Sequence, residues 1–273
     1  MPSYVVTGTN RGLGFEFVKQ LSSKPENIVF ATVRNPAASK DLFALQTNRK
    51  NVHVLEADLT KPTSWKDAAI AVTKVTGGTL DVLINNAAGL ALPGPAIDAY
   101  GEGQEAKVTS DYVDSFQINV IGTIHATNAF LPLILTASKT NKNFTPKVIT
   151  LNTGATDVKF FPKTGLETVG PYIVAKAALA AVTAQYASTH YLDNVIFLTI
   201  SPAFANNNIE SASKEGLKEF EKIIAGFKRA APHWDGVPIT VEESISSMLT
   251  VFDKLTKEQS GAFISHKGNQ EWL

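Results

Sequence analysis

The chain has 273 residues, of which 44% are hydrophobic and 18% charged, and its formal net charge is zero. This composition is typical of a globular protein, and the neutral balance argues against a non-specific nucleic-acid or acidic-membrane binder. The absence of cysteine excludes disulfides, thiolate nucleophiles and cysteine metal sites. Because the first apolar run begins at Ser3 and no stretch resembles a membrane span, we expect a cytoplasmic protein.

Short runs rich in Val and Ile alternate with helix-like segments along the chain. The strand-like runs are Tyr4–Thr7, Ile28–Val33, Val52–Glu56, Val82–Asn85, Val148–Leu151, Val195–Ile200 and Ala262–Ser265. The helix-like segments are roughly Gly12–Ser22, Thr63–Val75, Asp111–Ser138, Pro171–His190 and Val241–Leu255. This alternation predicts an α/β protein: one doubly wound Rossmann domain over residues 1–273, whose seven-stranded parallel sheet carries helices on both faces.

A glycine-rich turn, Thr7-Gly8-Thr9-Asn10-Arg11-Gly12-Leu13-Gly14, joins the first strand to the first helix. Glycine there lets the backbone approach a pyrophosphate, and the helix N-terminus offers free N–H groups and a positive dipole end. The context predicts a dinucleotide site, with a tight structural turn as the alternative. The expected cofactor contacts in this turn are Gly8, Asn10, Arg11, Gly12, Leu13 and Gly14.

The second predicted strand ends without the acidic residue that usually holds the ribose 2′-hydroxyl of NAD. Arg34 stands at that end, where a 2′-phosphate would lie, and Arg11 lies within the glycine-rich turn. Guanidinium groups suit phosphate geometry, so these residues favour NADP(H) as the cofactor. The alternative is that both arginines are solvated surface residues.

Three segments interrupt the alternation: Leu90–Thr109, Phe160–Val169 and Asn206–Pro238, the last with one or two short helices. All follow the carboxyl ends of strands, where an open α/β sheet binds its ligands, and long loops in such places are usually functional. We therefore predict that they form the substrate-binding loops. Apolar residues in or directly before these segments favour an apolar, aromatic or polycyclic substrate, with core packing as the alternative: Leu90, Phe160, Phe161, Phe204 and Trp234. Trp272-Leu273 would close the pocket or join a subunit interface.

With these motifs, the chain resembles the short-chain dehydrogenase/reductase family nearly from end to end. The family's T-G-x-x-x-G-x-G is intact at Thr7–Gly14, and its Y-x-x-x-K is Tyr172-Ile173-Val174-Ala175-Lys176. Its N-N-A-G turn is similar to Asn85-Asn86-Ala87-Ala88. The Ala-Thr-Val-Arg run and the wide gap before the tyrosine are most similar to the sniffer, C-factor and norsolorinic acid ketoreductase branch.

The resemblance implies further cofactor contacts. Asp58 matches the aspartate that caps the adenine pocket, with Leu59 beside it, and Asn86 and Ala87 belong to the N-N-A-G turn. After the sixth strand, the family's P-G-x-x-x-T becomes Pro202-Ala203-Phe204-Ala205-Asn206-Asn207. Contacts from Pro202, Phe204 and Asn207 are expected, with Asn207 replacing the threonine that steadies the nicotinamide carboxamide.

The resemblance also assigns catalysis to four residues. Tyr172 would donate a proton to a substrate carbonyl oxygen. Lys176, one helical turn later, would lower the tyrosine pKa from about 10 and hold the nicotinamide ribose. Thr153 stands where the family has serine and would orient the substrate, with Thr156 as the alternative hydroxyl. Asn119 is similar to the residue that holds a relay water, although it could instead satisfy backbone groups.

The leading interpretation is an NADPH-dependent ketoreductase acting on a small, apolar or aromatic carbonyl compound. The departures from the family at Asn152-Thr153, Ala203 and Asn207 leave two alternatives: a repurposed scaffold that acts as a non-redox isomerase or cyclase, and a cofactor sensor. Neither a metal site nor a nucleic-acid or membrane partner is expected. The family generally forms dimers or tetramers through its long helices, so a homodimer or homotetramer is expected through Asp111–Ser138 and Pro171–His190.

Overall fold

The computed structural model describes residues 1–89, 96–206 and 214–273, without the side chains of residues 214–216 and 219. Its strands are β1 (Ser3–Thr7), β2 (Ile28–Val33), β3 (Val52–Glu56), β4 (Val82–Asn85), β5 (Lys147–Leu151), β6 (Ile196–Ser201) and β7 (Phe263–Ser265). Its α-helices are α1 (Gly12–Leu21), α2 (Lys40–Asn48), α3 (Pro62–Thr76), α4 (Glu105–Phe116), α5 (Gly122–Thr140), α6 (Gly170–Thr189), α7 (Lys214–Ala230) and α8 (Val241–Lys254).

The strands form one parallel sheet in the order β3-β2-β1-β4-β5-β6-β7. The order in which successive strands are added reverses between β1 and β4: β2 and β3 lie on one side of β1, and β4 to β7 lie on the other. At such a switch point the two following connections diverge to opposite faces, which opens a ligand-binding crevice at the carboxyl ends of the strands. The predicted fold is confirmed, and the predicted strands agree with the observed ones to within one residue at each end.

Successive residues of each strand supply two separate cores, one on each face of the sheet. In β1, Val6 belongs to the cluster that includes Phe17 of α1 and Phe252 of α8. Its neighbour Val5 belongs to the opposite cluster, with Trp65 of α3. Side chains alternate between the two faces of a strand, so a continuous apolar run is what a sheet covered on both faces requires.

Three helical features differ from the sequence prediction. The sequence did not predict α2, in which only Leu42 is buried and the apolar periodicity is therefore weak. The predicted helix over Asp111–Ser138 runs from Glu105 to Thr140 and contains a π-helical turn at Gln117–Ile121. Helix α7 has 17 residues, where one or two short helices were predicted.

By length and composition alone, the helical run Glu105–Thr140 could cross a membrane. In this fold, however, the run contributes to the core. Phe130 and Ile134 are fully buried, and the ring of Phe130 meets that of Trp65 edge-on at 6.4 Å between centroids. The apolar character of this segment is therefore used in packing α5 against α3 and the sheet.

Candidate active site

The turn between β1 and α1 closes so tightly that it requires glycine. Gly8 and Gly12 have φ angles of +70° and +59°, in the left-handed region that favours glycine. A Cβ atom on Gly14 would lie 2.1 Å from the carbonyl oxygen of Gly8 and 2.6 Å from Nδ2 of Asn86. No larger residue fits at Gly14 without moving the backbone of the turn.

Hydrogen bonds tie this turn to the end of β4. The Thr7 hydroxyl oxygen accepts the backbone N–H of Asn86 at 3.0 Å and that of Ala87 at 2.9 Å. In return, the side-chain amide of Asn86 donates to the carbonyl oxygens of Thr7 at 2.8 Å and Gly8 at 3.0 Å. Asn86 and Ala87, both predicted cofactor contacts, therefore border the glycine turn at the switch point of the sheet.

The start of α1 fits a bound pyrophosphate. Arg11 is the N-cap, in extended conformation, and its side chain makes no capping hydrogen bond. The first N–H groups of a helix have no intrahelical acceptor, so at Gly12 and Leu13 they are available to an anion. Asn10 and Arg11 are exposed beside them. This turn thus provides the close backbone approach and the donors that a nicotinamide dinucleotide needs.

Arg34 and Asp58 lie in one corner at the carboxyl ends of β2 and β3. Oδ1 of Asp58 accepts both the backbone N–H and the hydroxyl of Thr60, each at 2.9 Å. Burial alone would raise the pKa of Asp58, but these hydrogen bonds and the positive charges of Arg34 and Lys61 outweigh it and lower the pKa. Arg34 itself is exposed, and Leu59 is buried next to Asp58.

Tyr172 and Lys176 lie one turn apart on α6. The lysine Nζ is 5.7 Å from the centroid of the tyrosine ring and donates to the carbonyl oxygen of Leu151 at 2.8 Å. Burial raises the pKa of Tyr172 to about 12 and lowers the pKa of Lys176 to about 8. Burial is the cause of the raised tyrosine pKa, and the Lys176 ammonium is bound to a backbone carbonyl group. The expectation that the charge of Lys176 favours the phenolate stays a prediction.

Of the two hydroxyls considered after β5, Thr153 is better placed to bind a substrate. Its oxygen accepts the backbone N–H of Ala155 at 3.2 Å, and among the described residues no acceptor takes its own proton. The Thr156 hydroxyl instead donates that proton to the carbonyl oxygen of Thr153 at 2.9 Å. Thr153 therefore keeps a donor for a ligand, whereas Thr156 satisfies its own turn.

The side chain of Asn119 binds backbone groups. Its Oδ1 accepts the N–H of Gly89 at 3.0 Å, and its Nδ2 donates to the carbonyl oxygens of Gly89 at 2.9 Å and Ser115 at 3.0 Å. It lies in the π-helical turn and is 1% exposed. These bonds favour the structural alternative for this residue, since they hold the segment that follows β4 against the helix.

The comparisons with known proteins agree with this geometry. Residues 3–218 match the family model described as short chain dehydrogenase. The chain belongs to the short chain dehydrogenase family. Two fungal relatives match over 100% of both chains: short-chain dehydrogenase/reductase AacuF of Aspergillus aculeatus, 39% identical over 276 residues, and short chain dehydrogenase virK of Hypocrea virens, 35% identical over 282 residues. The family resemblance of the sequence is confirmed.

Solved structures extend the comparison to the whole fold. An NADPH-bound carbonyl reductase from chicken fatty liver superposes with a TM-score of 0.80 at 25% identity, covering 98% of each chain. The carbonyl reductase Sniffer of D. melanogaster gives 0.79 at 24% identity, also over 98% of each chain, which is a likeness of fold. Membership of the short chain dehydrogenase family makes this protein an oxidoreductase.

The loop after β6 contains a non-glycine residue in the left-handed backbone conformation that favours glycine. Ala203 has a φ angle of +65°, and it is the one non-glycine residue with positive φ in the described ranges. The hydroxyl of Ser244 donates to the carbonyl oxygen of the preceding residue, Pro202, at 2.6 Å. Two residues predicted in the site, Asn207 and Leu90, lie outside the described residues.

An aromatic cluster joins the loop after β6 to α7 and the segment after β5. The ring centroid of Phe204 lies 5.2 Å from that of Phe220, 5.0 Å from that of Phe227 and 6.0 Å from that of Trp234. The Phe160 ring lies 5.9 Å from the Phe227 ring. Two of the three predicted substrate loops thus meet through apolar ring surfaces. Phe161 begins a short 3₁₀ turn outside these ring contacts.

The sequence did not identify Ser115 or the structural role of Asn152. The Ser115 hydroxyl donates to the carbonyl oxygen of Pro171 at 3.1 Å, directly before Tyr172. The sequence pattern that could have identified Ser115 is its spacing of one helical turn from Asn119, since residues at i and i+4 share a helix face. Asn152 donates to the carbonyl oxygen of Lys176 at 2.9 Å, and no local pattern indicates a contact between residues so distant in sequence.

Proposed function

We propose that this short chain dehydrogenase is an NADP(H)-dependent ketoreductase that reduces a carbonyl group of a small, apolar or aromatic molecule, with Tyr172 as general acid. The observation that carries the proposal is the Tyr172–Lys176 pair at the carboxyl end of β5, on the same sheet edge as a turn that requires glycine. The family membership and the NADPH-bound carbonyl reductase of similar fold support it.

Each part of the cofactor would meet a different element. The N–H groups at the start of α1 would bind the pyrophosphate, and Arg34 and Arg11 would bind a 2′-phosphate. In the described part of the chain neither guanidinium group makes a hydrogen bond or an ion pair, so both remain available. Asp58 would meet the adenine end beside Arg34. Bound NADPH supplies the hydride.

The proton would come from Tyr172. Because the pKa of its phenol is raised to about 12, the group is protonated at neutral pH and can donate to the oxygen of a substrate carbonyl. That transfer leaves a phenolate, which the ammonium of Lys176 near the same ring stabilises by charge. The free Thr153 proton would bind the substrate oxygen and fix its position. Hydride on carbon and a proton on oxygen complete the alcohol.

The aromatic cluster supports the substrate class. Phe204, Phe227 and Trp234 are all partly or fully buried, and they border the loop that follows β6 next to Pro202. Aromatic pockets bind flat, apolar molecules through large contact areas and offset or edge-on ring contacts. A planar aromatic or polycyclic ketone therefore suits this wall better than a charged substrate.

The proposal is tested by NADPH oxidation with a panel of aromatic ketones, diketones and quinones. We expect Tyr172→Phe to lower turnover by about 100-fold or more, the scale of general acid–base catalysis. Tyr191→Phe is the matched control, because Tyr191 is 74% exposed. NADPH binding, followed by its fluorescence, should survive both substitutions. Turnover that is unchanged in Tyr172→Phe would contradict the assignment.

The same experiment separates the alternatives. Conversion of a substrate without NADPH oxidation would identify a repurposed scaffold that acts as an isomerase or cyclase. NADPH binding without conversion of any carbonyl in the panel, and with no effect of Tyr172→Phe in cells, would identify a cofactor sensor. Stoichiometric NADPH oxidation excludes both.

Assembly into a homodimer or homotetramer is part of the proposal. Val113 and Phe116 on α4 and Val174 on α6 are 57%, 41% and 50% exposed, which leaves apolar area on the helices expected at the interface. Light scattering after size exclusion would give the mass, and a monomer would contradict the proposal. The cytoplasmic location expected from the sequence stays a prediction.

A further inference from the structure

The indole of Trp272 covers the turn that follows Thr153. Its Nε1 donates to Oδ2 of Asp157 at 2.8 Å, and the residue is 7% exposed. A Cβ atom on Gly154 would lie 2.4 Å from Cβ and 2.5 Å from Cγ of Trp272. The indole, which is 115 residues from Asp157 in sequence, therefore packs directly on the backbone next to the candidate substrate-binding hydroxyl.

The sheet holds the indole from its other side. Trp272 stacks on Phe263 of β7 with ring centroids 4.5 Å apart and an interplanar angle of 26°. The segment that leads to it is folded around Asn269, whose Oδ1 accepts the Ser265 hydroxyl at 2.8 Å and the Glu271 N–H at 2.9 Å. The indole position is therefore fixed by the last strand of the sheet.

Asp157 transmits that position to the turn. Its carboxylate also accepts the N–H of Lys159 at 2.8 Å, and its own N–H donates to the carbonyl oxygen of Gly154 at 3.0 Å. Within the turn, the N–H of Thr156 donates to the carbonyl oxygen of Thr153 at 3.1 Å. The indole N–H thus binds Asp157, and the backbone hydrogen bonds of residues 153–157 hold this short turn together up to the backbone and hydroxyl of Thr153.

We infer that Trp272 is a positioning residue for Thr153, acting through Asp157 and the turn between them. The inference rests on the proposed function, in which the Thr153 hydroxyl binds the substrate oxygen. The indole packs within its own chain, on Gly154, Asp157 and Phe263. The expectation that Trp272-Leu273 closes the pocket or joins a subunit interface stays a prediction. Its contribution is to the geometry of a reacting group, where about 1 Å of misplacement costs on the order of 100-fold in rate.

The test compares Trp272→Phe, which keeps a ring and loses the N–H donor, with Phe263→Leu, which loses the stack and keeps the donor. With the aromatic ketone that turns over fastest, Trp272→Phe should lower kcat about 10- to 100-fold, with the KM for NADPH unchanged. Asp157→Asn keeps one amide oxygen for the indole N–H but places an NH₂ group where the second carboxylate oxygen accepts the Lys159 N–H, so it should lower kcat less than Trp272→Phe does. Phe263→Leu should lower the melting temperature, and it should lower kcat less than Trp272→Phe does.

A double-mutant cycle with Thr153→Ala separates positioning from general stability. If Trp272 acts through Thr153, Trp272→Phe adds little further loss of kcat in the Thr153→Ala background. Equal fold-losses in both backgrounds, or a kcat that follows the melting temperature across all variants, would overturn the inference.

Hydrogen exchange provides a readout that needs no turnover. The amides of Ala155, Thr156 and Asp157 should exchange faster in Trp272→Phe than in wild type, and at the wild-type rate in the exposed control Tyr191→Phe. Unchanged exchange in Trp272→Phe overturns the inference even if the enzyme is active. If exchange is faster in Trp272→Phe but the wild-type protein turns over no carbonyl compound, Trp272 holds the turn in place and the proposed function is contradicted.

Discussion

Asn152 and Lys176 join β5 to α6 through two crossed hydrogen bonds. The side-chain amide of Asn152 donates to the backbone carbonyl of Lys176 at 2.9 Å, and the Lys176 ammonium donates to the carbonyl of Leu151, adjacent to Asn152, at 2.8 Å. Both side chains are buried, at 4% and 3% exposure. Asn152 therefore fixes the helix that presents Tyr172 and Lys176.

This link predicts a stability cost for Asn152→Ala. The substitution leaves the Lys176 carbonyl buried without its side-chain donor, which should lower the free energy of unfolding by about 1–3 kcal/mol. Urea denaturation gives the value. Asn48→Ala, at the exposed end of α2, should change it by no more than about 0.5 kcal/mol. Equal effects of the two substitutions would show that the bond contributes nothing specific.

The buried ammonium predicts a pH dependence of stability. The pKa of Lys176 falls from 10.5 to about 8 on burial, so between these values the unfolded chain holds a proton that the folded protein has released. Where the unfolded state binds more protons, the free energy of unfolding rises with pH, and this contribution should rise from about pH 8 to pH 10.5. Urea denaturation at several pH values should show that rise reduced in Lys176→Met and retained in Lys50→Met, an exposed control. Identical pH slopes in wild type and Lys176→Met would refute the shift.

The corner at β2 predicts cofactor preference. Arg34→Asp replaces a guanidinium with the acidic group that binds a ribose 2′-hydroxyl and repels a 2′-phosphate. Loss of a hydrogen bond to a charged group, about 1.5–3 kcal/mol, should raise the Kd for NADPH about 10- to 100-fold and favour NADH. Fluorescence titration with both nucleotides measures this. Lys50→Ala, before β3 and at the opposite end of that strand from Asp58, should leave both affinities unchanged; an unchanged NADPH affinity in Arg34→Asp would instead remove Arg34 from the site.

The backbone at Ala203 predicts a stabilising glycine. A left-handed conformation costs an L-residue about 1–2 kcal/mol, and glycine avoids this cost. Because glycine is more flexible in the unfolded chain, it loses about 0.5–1 kcal/mol more than alanine on folding, which offsets part of the gain. With its φ of +65°, Ala203→Gly should therefore raise the free energy of unfolding by up to about 1 kcal/mol. Ala205→Gly, in a β-bridge with Ile239, should lower it instead. Thermal and urea denaturation of the pair measure the difference, and a loss of stability in both variants would contradict the strain at Ala203.

Much of the fold followed from local patterns. Continuous apolar runs such as Val82–Asn85 predicted strands buried on both faces, and their alternation with helical segments predicted the parallel sheet. Helix α2 was missed because only Leu42 is buried in it. The π-helical turn around Asn119 was missed because its hydrogen-bond shift leaves no mark in residue spacing.

The sequence by itself determined the sheet, the glycine turn and the Tyr172–Lys176 spacing, since each depends on neighbours a few residues apart and on side-chain types that few other structures accept. Tertiary structure alone decided which groups share a hydrogen bond across the fold: Asn152 with Lys176, Ser115 with Pro171, and Trp272 with Asp157. It also decided the pKa of Tyr172, because desolvation depends on everything packed around a group and not on the residue one turn away.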